Sequence, residues 1–216
     1  MLAAAGSGER LGAGEPKALV ELAGRPMYQW SLDAIGGAGS VTQVLVAVPE
    51  GLEDRVPASV GDKPVRAVVG GASRSESVSN ALALVEEELV LIHDAARPLA
   101  GSALFDRLVD LLGSDDTLAG AIVASPIVDT IKRVGEDESV SETIDRSSLR
   151  AAETPQAFRT RALRGAIASG PQDATDEAMV VEAAGGKVAV IGSDQENFKV
   201  TTPADLERAA AILSSR

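Results

Sequence analysis

Leu2-Ala3-Ala4-Ala5-Gly6-Ser7-Gly8-Glu9-Arg10-Leu11-Gly12, followed by Glu15-Pro16-Lys17, joins a short apolar run to a glycine-rich turn carrying the cations Arg10 and Lys17. Glycines at the carboxyl end of a first strand let backbone N–H groups reach phosphate oxygens with no Cβ in the way, so phosphate binding is the natural expectation. The apolar run is shorter than the five or six residues usual for a buried strand, as it would be with a clipped start. The spacing argues against two known phosphate loops. A dinucleotide fingerprint wants a third glycine where Leu11 stands and an acid about 20 residues on, and a Walker-type loop wants Gly-Lys-Ser or Gly-Lys-Thr. What remains is a loop whose cations suit a polyphosphate that gains charge in a transition state.

Outward from this loop, short runs rich in Val and Ile read as strands: Val41 to Val48, Val65 to Val69, Leu89 to Ile92, Leu118 to Ala124 and Lys187 to Ile191. Between them, Val78, Ala81, Leu82 and Val85 recur with helical period, and Leu104, Leu108, Leu111 and Leu112 form a second stripe. The alternation predicts an α/β fold with a mostly parallel sheet covered by helices. Ser73 with Glu76 has the form of a capping box, and Thr202 before Pro203 marks another helix start. At about 150 residues per domain, 216 residues favour a single domain. One segment breaks the rhythm. Val128 to Val134 and Val140 to Ile144 flank an acidic turn, which predicts a hairpin arm over about 126–149. Val128, Thr130, Lys132 and Val134 share one face, Asp129, Ile131 and Arg133 the other, and an isolated two-stranded hairpin is marginal in water, so the arm needs a partner surface.

Composition narrows the chemistry. With 32 acidic against 20 basic residues, a net charge of −12 repels nucleic acid and anionic lipid. The absence of cysteine removes disulfides, thiolate metal sites and a cysteine nucleophile, and a single histidine removes any multi-histidine metal site within the chain. No run of about 18 apolar residues and no signal-peptide core are present, so a soluble cytoplasmic protein is expected.

Further strand ends carry polar groups. Gly70-Gly71 is followed by Arg74 and Ser77, the next strand ends in His93-Asp94-Ala95-Ala96-Arg97-Pro98, and the last leads to Asn197-Phe198-Lys199-Val200-Thr201-Thr202. In an open α/β sheet the ligand crevice lies beyond the carboxyl edge, so these ends should converge on one site. Asp94 could accept from a ribose hydroxyl, ligate a divalent cation, or serve as a turn residue. His93, beside a buried strand, reads as a packed histidine rather than a base.

These residues together resemble the 2-C-methyl-D-erythritol 4-phosphate cytidylyltransferase family. The resemblance rests on the opening loop with Pro16-Lys17, Gly70-Gly71 through Ser77-Val78, His93 through Pro98, Asp129-Thr130-Ile131-Lys132, Thr154-Pro155-Gln156-Ala157-Phe158, Thr175-Asp176-Glu177-Ala178 and the Lys199 segment. It covers essentially the whole chain and implies a three-layer, Rossmann-like nucleotidyltransferase fold. The implied reaction joins CTP to methylerythritol phosphate with Mg²⁺ and releases pyrophosphate. By the same resemblance Arg10 and Lys17 stabilise the transition state at the α-phosphorus. Ala4, Ala5, Gly6, Gly71 and Ser77 hold the cytosine, Gly8 belongs to the nucleotide loop, and Asp94 with Ala95 meets the ribose and the second substrate. Thr130, Arg146 and Lys199 position the methylerythritol phosphate, the first two from an arm that crosses to the other subunit of a homodimer. No metal ligand is assigned, Glu196 included. The related ribitol-5-phosphate cytidylyltransferases share most of these motifs and stay open as an alternative. A regulatory nucleotide-binding module is disfavoured, because a binder has no use for cations at both leaving group and nucleophile. The chemistry suits the residue types: a phosphate monoester is already an anion near neutral pH, so alignment and charge neutralisation replace a strong base.

Overall fold

The computed structural model describes residues 1–6, 8, 11, 16–170, 174–193 and 196–215. From the amino end come β1 (Leu2–Ala3), the small pair β2 (Glu21–Leu22) and β3 (Arg25–Pro26), and α1 (Met27–Gly36). Next are β4 (Val44–Val48), β5 (Ser59–Val60), β6 (Lys63–Val69), α2 (Arg74–Leu82), β7 (Leu89–Asp94), α3 (Ser102–Ser114) and β8 (Gly120–Pro126). The hairpin β9 (Ile131–Val134) and β10 (Val140–Ile144) precedes β11 (Arg150–Arg159), α4 (Thr160–Ser169), α5 (Glu177–Ala183), β12 (Val188–Gly192) and α6 (Pro203–Leu213).

The main sheet runs β12-β8-β11-β7-β1-β4-β6-β5. β4 and β7 flank β1 in parallel, β6 joins β4 and β12 joins β8 in parallel, while β11 and β5 run antiparallel to their neighbours. The mostly parallel α/β sheet is therefore observed. From β1 the chain moves outward to β4 and β6, then returns to β7 on the other side of β1. Strand order reverses between β1 and β7, and a doubly wound sheet opens its ligand crevice at such a point.

Strand faces follow the period-two rule with apolar residues on both sides. Val44, Val46 and Val48 pack with Leu32 and Ile35 of α1 and with Phe105 and Leu108 of α3, whereas Leu45 packs on the opposite side with Val78 and Leu82 of α2. Leu163 and Val181, from α4 and α5, extend that second layer. A third cluster, with Leu11, Leu22, Met27, Val200 and Leu213, seats α6 over the loops near the crevice. The caps differ in completeness. Thr202 and Asp205 form the full reciprocal box at α6. At α2 the Ser73 hydroxyl accepts from Glu76 N, but the Glu76 carboxylate takes Ala72 N instead of the cap's own N–H.

The expected strands are present with shifted ends: the second begins at Val44 and the fifth at Gly120, while the third starts earlier, at Lys63, and the fourth runs on to Asp94. β2, β3 and β5, two residues each, are additions, and β11 is the long one. Its Glu153-Thr154-Pro155-Gln156 interior is polar and contains proline, which ordinarily argues against a central strand. Its ladder with β8 shifts register between Ala152 and Gln156, and regular pairing resumes through Phe158 opposite Gly120. A Cβ on Gly120 would lie 2.4 Å from the buried Phe158 ring, so glycine makes room for the aromatic.

The arm is a separate two-stranded sheet, as its alternation implied. Val128, Val134 and Val140 are 79%, 53% and 60% exposed. Among the described residues no helix is long and apolar enough to cross a membrane.

Candidate active site

A cleft of about 560 Å³ opens at the carboxyl ends of β1 and β7. Ala4, Ala5, Gly6, Gly8, Lys17, Gly71, Ser77, Asp94, Ala95 and Lys199 all line it, as their strand-end positions foretold. Arg10 lies outside the described residues. Thr130 and Arg146 are not among the lining residues; both are exposed on the arm segment, where the Arg146 guanidinium donates to Val128 O.

The opening loop is closed by backbone bonds. Gly6 O accepts from Lys17 N at 3.1 Å, and Gly8 O accepts from Leu11 N at 2.8 Å. Gly8 has φ +76°, and a Cβ there would stand 3.0 Å from Lys17 N, so only glycine sits here without strain. Leu11, at the position where a dinucleotide fingerprint would need glycine, is buried in the third cluster. Across the cleft wall, a Cβ on Gly70 would lie 2.4 Å from Ala5 Cβ, so glycine lets the Ala5 methyl pack directly against the Gly70 main chain. Gly71 N donates to Ser77 Oγ at 2.9 Å and the Ser77 hydroxyl donates to Ser73 O at 2.9 Å, which ties this turn to the start of α2.

The far wall is a chain of alternating charges. Asp94 Oδ1 accepts from Arg74 Nε at 2.9 Å, and its Oδ2 accepts from Lys199 Nζ at 2.7 Å. Arg74 Nη1 in turn donates to both oxygens of Glu177, at 2.7 and 2.9 Å. Burial works against the Asp94 carboxylate, but Arg74 and then Lys199 outweigh it and hold its pKa below the ordinary range. Burial likewise opposes the Arg74 charge, yet Asp94 and Glu177 hold the guanidinium more firmly protonated than in water. Glu177 is pushed up by burial, with Arg74 offsetting only part of the rise. Lys199 is placed by its own loop: Asn197 Nδ2 donates to Thr154 O and to Glu153, and Val200 N donates to Ala96 O.

His93 behaves as a packed residue. Its Nδ1 accepts from the Thr154 hydroxyl, whose oxygen also accepts from Asp94 N, and its Nε2 donates to Arg97 O at 3.2 Å. The ring is fully buried with Phe105 at its edge. Burial pushes its pKa down from 6.5 to about 4. The unfolded chain therefore binds this proton first, so the stability His93 contributes is complete above pH 6.5 and is lost as pH falls toward 4. Urea unfolding at pH 7 and pH 4 should show wild type losing up to about 3 kcal/mol more than a His93→Gln chain. Equal losses in the two proteins would contradict a buried neutral imidazole.

Arg74 and Glu177 stand in the motifs read from sequence, yet their partnership across 103 residues carried no local signal. The same holds for Thr154 beneath Asp94, 60 residues away. The donor set does not fit a protein-held Mg²⁺. Asp94 is the only carboxylate among the described lining residues, both its oxygens already serve cations, and no group of three or more metal-ligating side chains is found among the described residues.

Comparison with known proteins agrees with this geometry. The family model for 2-C-methyl-D-erythritol 4-phosphate cytidylyltransferase matches residues 1–215. The enzyme of that name from Frankia casuarinae is 44% identical over 213 residues, covering 98% of this chain and 79% of the relative. That from Parasynechococcus marenigrum is 43% identical over 223 residues, covering 100% and 97%. The crystal structure of the Thermus thermophilus enzyme superposes with a TM-score of 0.81 at 33% identity, over 99% of this chain and 97% of that one. With the family model matching residues 1–215, relatives above 40% identical over nearly the full chain and a superposable solved structure, the chain belongs to the 2-C-methyl-D-erythritol 4-phosphate cytidylyltransferase family.

Proposed function

We infer that the cleft transfers a cytidylyl group from CTP to 2-C-methyl-D-erythritol 4-phosphate, giving 4-diphosphocytidyl-2-C-methyl-D-erythritol and pyrophosphate in the non-mevalonate route to isoprenoids. One observation carries this reading beyond family membership: the glycine loop with Lys17 and the Asp94-held Lys199 converge on a single cleft at the strand-order reversal. A phosphate oxygen of the acceptor attacks the α-phosphorus of CTP, and the bond to the β-phosphate oxygen breaks to release pyrophosphate. Lys17 and Arg10 meet the charge that grows on the phosphoryl oxygens and the leaving group. Lys199 holds the acceptor phosphate. The small residues Ala4, Ala5, Gly6 and Gly71, with Ser77 behind Gly71, leave the cytosine against main-chain groups. Asp94 and Ala95 face the ribose and the acceptor.

Thr130 and Arg146 are assigned to the cleft of a second copy in a homodimer. In support, they do not line the cleft of their own chain, and the arm that bears them exposes Val128, Val134 and Val140. Mg²⁺ enters with the nucleotide's phosphates, since the described residues offer it no cage of their own. The acidic composition and lack of cysteine suit a cytoplasmic enzyme with no nucleic-acid or membrane partner.

The test is pyrophosphate release with CTP and a panel of alcohol phosphates, with and without Mg²⁺. Methylerythritol phosphate should be the preferred acceptor and Mg²⁺ should be required. A preference for ribitol 5-phosphate would move the chain's activity to the related class, and no CTP-dependent release would overturn the assignment.

A further inference from the structure

We propose that Glu177 and Arg74 form a positioning pair for Asp94, with Glu177 standing outside the cleft and acting only through the guanidinium. The inference rests on the cleft being the cytidylyl-transfer site.

Glu177 opens α5, is 4% exposed and is not among the residues lining the cleft. Its seat is fixed from the sheet side. Asp176 caps α5 by accepting from Met179 N at 2.9 Å, and its other carboxylate oxygen accepts from Gln156 Nε2 of β11 at 2.9 Å. Glu177 is thereby held where both its oxygens grip one nitrogen of Arg74, whose Nε reaches Asp94. The guanidinium is thus tied to carboxylates on two separate elements, which sets its plane.

The arrangement matters because the other partner of Asp94 is exchangeable. The Lys199 side chain is 39% exposed, so an incoming phosphate can draw its ammonium away. Arg74, with 27% exposure and a second carboxylate behind it, stays. Asp94 keeps its orientation through the exchange. Glu177 also cancels the Arg74 charge, leaving Asp94 a net negative charge toward the cleft and keeping Arg74 from acting as a phosphate ligand. Stability alone is a poor reason for such a pair, because apolar residues of similar volume usually replace a buried ion pair without loss.

That comparison supplies the experiment. Wild type, Arg74→Met, Glu177→Gln, Arg74→Lys and the double variant Arg74→Met/Glu177→Leu are compared by thermal unfolding and by steady-state kinetics with CTP and methylerythritol phosphate. The double variant should regain part of the Tm lost in Arg74→Met, Asp94 still having Lys199, while its kcat/KM stays at least about tenfold down, the order expected for a misplaced group. In Glu177→Gln the acceptor KM should rise about tenfold while the CTP KM stays within about threefold, a split that mere loss of folded protein does not produce. Arg74→Lys should not rescue, because one ammonium cannot reproduce the fork. A double variant that recovers both Tm and kcat/KM overturns the proposal. Should that variant not fold, unchanged kinetics in Glu177→Gln overturn it instead. A wild type without CTP-dependent pyrophosphate release sinks the functional reading, whereas an active wild type with an equally active double variant sinks only the pair.

Discussion

Lys17→Ala is expected to lower kcat by about a hundredfold or more while leaving the KM for CTP nearly unchanged, the size and signature of losing a donor that acts on transition-state charge. Lys17 is well placed for this role. Its backbone N–H is held by Gly6 O, Pro16 precedes it, and the following Ala18 is buried, so the side chain projects into the cleft from a fixed base. In a chain of net charge −12, a lysine lining the cleft stands out from the prevailing charge. On the proposed reading, the ground-state triphosphate has other partners in backbone N–H groups and the Mg²⁺ that comes with it. What the ammonium adds is largest when the α-phosphoryl oxygens and departing pyrophosphate gain charge. Arg10→Ala should behave alike, and Arg10→Lys should also be poor, because an ammonium does not replace a bidentate guanidinium. Steady-state kinetics decide the matter. Mutants that keep kcat and only raise the KM for CTP would reassign both residues to ground-state binding.

Mixing two inactive chains should restore activity. Arg146→Ala and Lys199→Ala homodimers are each expected to be defective at both sites, Arg146 acting from the arm and Lys199 from the cleft of the other chain. In a mixed dimer the two lesions fall in one site and leave the other intact, so activity should approach half of wild type per heterodimer. The expectation follows from placement. Lys199 lines the cleft of its own chain, whereas Arg146 is exposed near the base of a hairpin that buries little of its apolar surface. No recovery, with subunit exchange verified by mass spectrometry, would show that both residues serve one site from one chain.

Much of this architecture is a matter of local pattern and so is readable in the chain itself. The apolar runs around 44–48 and 89–92 need burial on both faces, which calls for helices above and below a parallel sheet. Gly6 and Gly8 before Lys17 mark a tight turn, and the alternation over 128–144 marks a hairpin, because each feature depends on residues a few positions apart. α1, α4 and α5 were less legible, their apolar positions being fewer and interrupted by small or charged residues. β11 was hidden altogether, since Glu153-Thr154-Pro155-Gln156 has neither strand propensity nor apolar period.

By itself, then, the sequence determined the α/β class, the glycine-rich turn that opens the chain, the arm and the strand ends at which charged residues gather. Only the tertiary structure decided that β11 inserts antiparallel between β7 and β8, and that Thr154 thereby sits beneath Asp94 and His93. It alone joined Glu177 to Arg74 across 103 residues and Lys199 to Asp94 across 105. The reason is physical. Periodicity reports which face a side chain presents and glycine reports what backbone conformation is needed, both local properties, whereas strand order and ion pairing depend on which distant faces bury one another.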